Sequence, residues 1–242
     1  MQDLDLNSVW IDNDGNYPDV TQRDNSIVNP NRSIQVYFRN LELYLISHIA
    51  RADAIFGCIA WLTSGSILDA LARKSVVSIV VQKEDFLRPD LGGGKDWKNW
   101  LRKKYKSLQC NIDRYSFDNI ISNLSVCSDP TLDPIRCVGN YNRDKAPAFP
   151  RMHNKFMIFA KLSTLSDVDQ TQLGSTRVNP YAVWTGSFNL TKNAGKSLEN
   201  ALFITDLEVV QAYFSEFSQI VAISEPLDWE VDWAEPEWRV GT

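Results

Sequence analysis

Two rhythms of apolar and polar residues organise the chain. From Ser33 to Asp53 the apolar positions Ile34, Tyr37, Phe38, Leu41, Leu45 and Ile49 fall on one helical face. His48 borders that stripe and reads as a structural helix histidine. Ala54 to Leu62 is a short continuous apolar run, the pattern of a strand buried on both faces. Ser64 to Lys74 returns to helical spacing through Ile67, Leu68 and Leu71, and Val76 to Val81 is a second buried strand. Helix, strand, helix, strand in that order predicts α/β layers with a parallel pair. Gly92-Gly93-Gly94 then breaks the chain, and Asp96 can cap a helix running to about Leu108.

Residues 110–150 carry turn signals at Asp129-Pro130, Asp133-Pro134 and Pro147, with a candidate strand from Arg136 to Tyr141. Met152 to Phe159 is an apolar run containing a histidine and a lysine. Residues 161–180 are polar and turn-rich and read as a surface insertion. Strands are predicted at Tyr181 to Thr185, ending in Gly186, and at Ala201 to Ile204. A helix follows from Leu207 to Ile223, with Leu207, Val210, Phe214, Phe217 and Val221 on one face. The organisation expected is a polar, acidic arm (1–31) carrying Trp10, Ile11 and Tyr17, a folded domain (32–224), and an acidic tail (225–242) with Trp229, Trp233 and Trp238. Arm and tail are candidate docking elements toward a larger complex.

Composition narrows the partners. The 242 residues carry a formal charge of −5, so any surface for nucleic acid has to be local. The basic cluster on the helix after Gly94 supplies one candidate: Lys98, Arg102 and Lys106 share a face. That face is either a solvated surface or a contact to phosphates. No apolar run reaches the roughly 20 residues of a membrane span. The N-terminal MQDLDLNSVW has neither basic region nor apolar core, which points to a cytoplasmic protein without a membrane partner. The four cysteines, Cys58, Cys110, Cys127 and Cys137, form no CxxC pair. Together with the two histidines they show no zinc-ligand spacing, so no metal site and no cofactor are assigned.

The candidate chemistry lies at His153-Asn-Lys155. In an extended strand, residues two apart share a face, so His153 and Lys155 are expected to project together. A proton carrier or nucleophile beside a fixed cation suits reaction at an anionic ester. Downstream come Gly186-Ser187-Phe188-Asn189-Leu190-Thr191 and Glu199.

Taken together, HxK, GSxNxT and the later acid resemble the signature of the phospholipase D superfamily, over roughly residues 33–222. The resemblance implies a mixed central β-sheet with helices on both faces, an α/β/α sandwich. It implies a phosphodiesterase mechanism without metal, in which one motif histidine attacks phosphorus and a second protonates the leaving oxygen. It gives His153 the role of nucleophile or acid. Lys155 and Asn189 become phosphate binders, Ser187 a supporting hydroxyl, and Glu199 the group that orients the histidine. The chain holds one such motif, so the resemblance implies a homodimer with the active site on its two-fold axis. One position departs from the pattern: the family's aspartate five residues after the lysine is Ala160 here, and the nearest acid is Asp167.

A short, single-motif chain resembles the nuclease branch of that family. With Lys98, Arg102, Lys106, Lys192 and Lys196 as candidate phosphate contacts, the leading expectation is a nuclease on DNA or RNA, plausibly in restriction or phage defence. Two alternatives stand beside it. One is a phospholipase or other small-phosphodiester hydrolase. The other is a non-catalytic nucleic-acid-binding subunit of a larger complex.

Overall fold

The computed structural model describes residues 5–8, 24–88, 96–110, 133–140, 150–164 and 176–228. Expectations at Trp10, Ile11, Tyr17, Gly92 to Gly94, Cys127, Asp167 and the three tail tryptophans lie outside them. An eight-stranded sheet runs through the molecule in the order β1-β7-β6-β5-β2-β3-β4-β8. Its strands are β1 (Ile34–Tyr37), β2 (Ala54–Ile59), β3 (Val76–Gln82), β4 (Ile135–Val138), β5 (Lys155–Thr164), β6 (Thr176–Gly186), β7 (Ala201–Ile204) and β8 (Glu225–Pro226). The predicted parallel pair is present as β2 and β3, and β4 extends it. The remaining pairings are antiparallel, so the sheet is mixed.

Alternation along the strands sends side chains to two separate cores. Ile55, Ile59, Val77, Ile79, Met157 and Phe159 pack beneath helices α1 (Leu41–Arg51), α2 (Gly65–Leu71) and α3 (Asp96–Lys106). Phe56, Cys58, Val80, Phe156 and Ile158 face the other way, toward α4 (Leu207–Ala222). Every residue of β2 and β3 is buried, as the continuous apolar runs predict. Helices therefore cover both faces. Ser64 opens α2 by accepting from the Ile67 N–H at 3.4 Å, and Asp206 opens α4 by accepting from Val209 at 3.1 Å.

Tertiary pairing overrides local pattern in four places. Ile34 and Tyr37 lie on β1, paired with β7, so the predicted helix begins only at Leu41. Asn40, with φ of 54°, makes the turn between them. Residues 161–164 and 176–180 continue β5 and β6 as a long hairpin, where polar composition predicts an insertion. Leu207 is 68% exposed, while the other four predicted core positions of that helix are buried. On α3 the spacing of Trp97, Leu101 and Leu108 predicts the buried face, yet Trp97 is exposed and Tyr105 is buried with Leu101.

The segments read as arm and tail each touch the fold. Asn7 donates to the carbonyl oxygens of Gly195 and Ser197, both at 3.2 Å. Ile27 bridges to Val36. Glu225 and Pro226 form β8 against β4, where Glu225 pairs with the fully buried Lys83. Among the described residues, no helix is long and apolar enough to cross a membrane.

Candidate active site

The strand ends place the chemistry. Parallel β2 and β3 end on the side where antiparallel β5 begins, because Ile59 sits opposite Lys155. In open α/β sheets the carboxyl ends of parallel strands border the functional crevice. Here they meet the start of β5, the end of β6 and the approach to β7 at one edge.

His153 lies two residues ahead of β5, is exposed, and is backed by Lys155. The Lys155 ammonium is 3.3 Å from both ring nitrogens and 3.1 Å from the His153 carbonyl oxygen. The expected pairing is therefore met, although His153 reaches it from a loop. Trp61 meets the imidazole edge-on, with ring centroids 5.3 Å apart at 81°. Partial desolvation, then the Lys155 and Arg151 cations, hold the His153 pKa below the ordinary imidazole value. Both effects bias the ring toward its neutral form, which carries a lone pair for attack.

The second half of the motif folds around Gly186. A Cβ at this position would sit 2.3 Å from the Asn200 carbonyl oxygen and 2.8 Å from the Ala201 Cα, so only glycine allows β6 to approach β7 so closely. Beyond it the chain zips to the Glu199–Asn200 segment. The Ser187 N–H donates to Asn200 Oδ1 at 3.2 Å, the Asn200 N–H donates to Ser187 Oγ at 3.1 Å, and the Ser187 hydroxyl donates to the Glu199 carboxylate. Phe188 and Leu190 point into the core, which turns Ser187 and Asn189 outward. Asn189 Oδ1 is buried without a hydrogen-bond partner, and as an acceptor it would not meet a phosphate oxygen, which needs the Nδ2–H donors of the same amide. Thr191 accepts from the Ala194 N–H at 3.2 Å and shapes the turn that follows.

Glu199 does not bond to the histidine of its own chain. Its carboxylate is held by Ser187, and its field acts on Lys155, opposing the desolvation that lowers the lysine's pKa. Ala160 lies five residues past Lys155, roughly 17 Å along the strand at about 3.3 Å per residue. It is fully buried opposite Ala54, so the missing aspartate belongs to the base of the sheet.

The basic candidates divide between two places. Lys192 and Lys196 line a cleft of about 810 Å³ together with Glu42, Ser64, Trp100 and Phe188. Arg102 and Lys106 line a different cavity, beside Asp133 and Asp228, and Arg102 donates to the carbonyl oxygens of Leu87 and Arg88. Lys98, partly buried, starts the same helix. Among the described residues, no group of three or more His, Cys, Asp or Glu is placed to hold a metal ion. Sequence pattern did not mark Trp61, Gln82, Glu84 or Asn200 as part of this neighbourhood. The usable signal was polarity at the end of a buried run: Gln82 and Glu84 close the apolar β3 segment yet stay buried.

A family model described as cardiolipin synthase, PLD-like domain, matches residues 55–221. The chain belongs to the phospholipase D superfamily. A protein of Acanthamoeba polyphaga mimivirus named uncharacterized protein L381 is 36% identical over 213 residues, spanning 82% of this chain and 68% of that protein. NucT from Helicobacter pylori aligns at 16% identity over 80% of this chain and 98% of its own, with a TM-score of 0.46. The phospholipase D family member Nuc from Salmonella typhimurium aligns at 19% identity over 77% and 91%, with a TM-score of 0.40. Phospholipase D chemistry acts on phosphodiesters. The cluster here brings together an imidazole, a cation and an amide.

Proposed function

We propose that this protein is a metal-independent nuclease whose active site is shared by two copies of the chain. The observation that carries this reading is the fate of the two histidines. His153 is exposed beside Lys155, whereas His48 is buried on the inner face of α1, its ring centroid 3.8 Å from that of Phe203 in a stacked arrangement. A mechanism with two imidazoles at one phosphorus must therefore draw the second from another chain. The contacts of Glu199 agree, since a carboxylate that does not meet its own histidine is available to a histidine across a two-fold axis.

In the proposed reaction the neutral His153 attacks phosphorus and forms an N–P bond. The P–O bond to the leaving group breaks, and that oxygen takes a proton from the second copy's imidazolium. The now neutral second imidazole then accepts a proton from water. The resulting hydroxide attacks phosphorus, and the N–P bond breaks. Lys155 and Asn189 hold the non-bridging oxygens, where fixed donors lower the barrier most.

Lys192 and Lys196, which follow the motif in the chain and line a cleft that holds Phe188 with Asp5 and Glu42, support a polyanion as substrate. A phosphatidyl-transfer reading, in line with the description of the matched family model, is the second possibility. The test is cleavage of labelled single- and double-stranded DNA and RNA in EDTA, with alkaline quenching to trap a phosphohistidine. Wild type is expected to cleave and to form the adduct. His153→Ala should do neither while keeping its dimeric mass. A monomer that cleaves overturns the shared site. Hydrolysis of bis(p-nitrophenyl) phosphate without cleavage of any nucleic acid overturns the substrate assignment.

A further inference from the structure

His153 sits on loop backbone and is exposed, yet the reaction proposed above needs its ring fixed to within a fraction of an ångström. Lys155 alone, a flexible side chain, does not supply that constraint. The segment beneath the ring does. Gln82, the last residue of β3, is 1% exposed, and both donors of its amide nitrogen and one lone pair of its amide oxygen are used. Its Oε1 accepts from the Met152 N–H at 2.6 Å, directly before His153. Its Nε2 donates to the carbonyl oxygens of Asn140, at 2.6 Å, and Lys83, at 2.9 Å. Gly139 makes room for this arrangement. It has φ of +93°, and a Cβ there would lie 2.8 Å from Gln82 Oε1.

Two residues on, Glu84 is linked to the same imidazole through Trp61. It is 7% exposed and accepts from the Trp61 indole Nε1–H at 3.2 Å. Trp61 in turn carries the edge-on contact to the His153 ring. The backbone is tied alongside: the Gln82 N–H donates to the Ala60 carbonyl at 3.3 Å, and the Ala60 N–H to the Asn154 carbonyl at 2.9 Å. His153 is thus held through its preceding backbone and through its ring contact by groups fixed from the buried end of one strand.

We propose that Gln82 and Glu84 are positioning residues for His153, Gln82 through the Met152 backbone and Glu84 through the Trp61 indole. This rests on the reading of His153 as the reacting group. Neither side chain touches substrate. A buried amide with three hydrogen bonds and a buried carboxylate–indole pair are rigid, because each alternative position leaves a polar group unsatisfied. That rigidity explains why polar side chains close an otherwise apolar strand.

The test uses purified full-length variants with bis(p-nitrophenyl) phosphate as probe, so that it does not depend on the natural substrate. Trp61→Phe keeps an aromatic ring and deletes the N–H. Glu84→Leu deletes the acceptor, and Glu84→Gln keeps one. Gln82→Met keeps length and deletes the three bonds. Trp61→Phe, Glu84→Leu and Gln82→Met are each expected to lower kcat about tenfold or more with KM within about twofold, as expected when reacting groups lose alignment. Glu84→Gln should recover most of the loss. The double variant Trp61→Phe/Glu84→Leu should match the worse single variant, since both cut one link. Three results would overturn the proposal. Trp61→Phe and Gln82→Met could retain wild-type kcat while His153→Ala is inactive. Glu84→Gln could do no better than Glu84→Leu. The Trp61 and Glu84 losses could multiply. Should Glu84→Leu fail to fold, Trp61→Phe and Gln82→Met decide the matter. Full activity in His153→Ala removes the reading of the site and this inference with it.

Discussion

Asp53 accepts the backbone N–H of Leu162 at 3.2 Å, two residues beyond the alanine that stands where related motifs carry an aspartate. The same carboxylate meets Lys161 Nζ at 3.1 Å. A strand neighbour thus supplies an anionic tether at the base of β5. Burial works against the charged form, but the Leu162 N–H, Lys161 and Lys74 outweigh it and hold the Asp53 carboxyl below its ordinary value. A lowered carboxylate pKa stabilises the fold above the unfolded value of 3.8, and this contribution is lost as pH falls through the folded value. Asp53→Ala should cost about 1 kcal/mol in urea melts at pH 7, with the difference shrinking in acid. Its kcat should be unchanged. A large loss of kcat at unchanged stability would give Ala160's surroundings a catalytic role.

Arg151 raises the electrostatic cost of protonating His153. Removing that cation stabilises the imidazolium, so Arg151→Gln should shift the acid limb of the kcat/KM profile toward higher pH. The measurement is a pH–rate series on the variant and wild type at constant ionic strength. An unmoved limb would assign it to a different group.

Gly186→Ala is expected to be severe. The added methyl meets the Asn200 carbonyl oxygen and the Ala201 Cα, which are backbone atoms and cannot swing aside. The end of β6 must part from β7, taking Ser187 away from Glu199. Activity should fall by about a hundredfold or more, with a loss of roughly 2 kcal/mol in stability. Retained activity would show that the Ser187–Glu199 contact is dispensable.

His48 gives the fold its own pH dependence. Tyr37 donates its hydroxyl hydrogen to Gln35 Oε1 at 2.8 Å, so at 3.1 Å the His48 Nε2–H is the donor to the Tyr37 oxygen. Burial, and then Arg51, lower its pKa from 6.5 to about 4. The unfolded chain therefore binds the proton first. Stability should be full above pH 6.5 and decline as pH falls toward 4, by up to about 3 kcal/mol. His48→Phe should abolish that slope in melts monitored between pH 7 and 4. An unchanged slope would place the effect on other groups.

Lys192 and Lys196 on one cleft, and Lys98 and Lys106 on α3, separate two candidate nucleic-acid surfaces. Changing Lys192 and Lys196 together to Glu should reduce the salt dependence of oligonucleotide binding by about two ions. The same change at Lys98 and Lys106 should reduce it less, because Arg102 between them is spent on the carbonyl oxygens of Leu87 and Arg88. Equal effects would bring α3 into the binding surface.

The sequence by itself determined the central strands and the family motif. Continuous apolar runs are sufficient for β2 and β3, because a strand buried on both faces leaves no other pattern. The motif around His153, Lys155, Ser187 and Asn189 was legible because its chemistry requires particular side chains at fixed spacings. What depends on a distant partner was decided by the tertiary structure. Ile34 and Tyr37 fit a helical stripe until β7 offers a hydrogen-bonded edge, and the polar residues beyond Lys161 form strand because each faces a β6 neighbour. The same holds for the groups around His153. Gln82 and Glu84 lie about seventy residues before it in the chain and carry no local signature, and only sheet pairing brings them beneath it. Pattern reports what each segment buries. Contacts between segments, including which carboxylate meets which cation, arise only once the strands are in order.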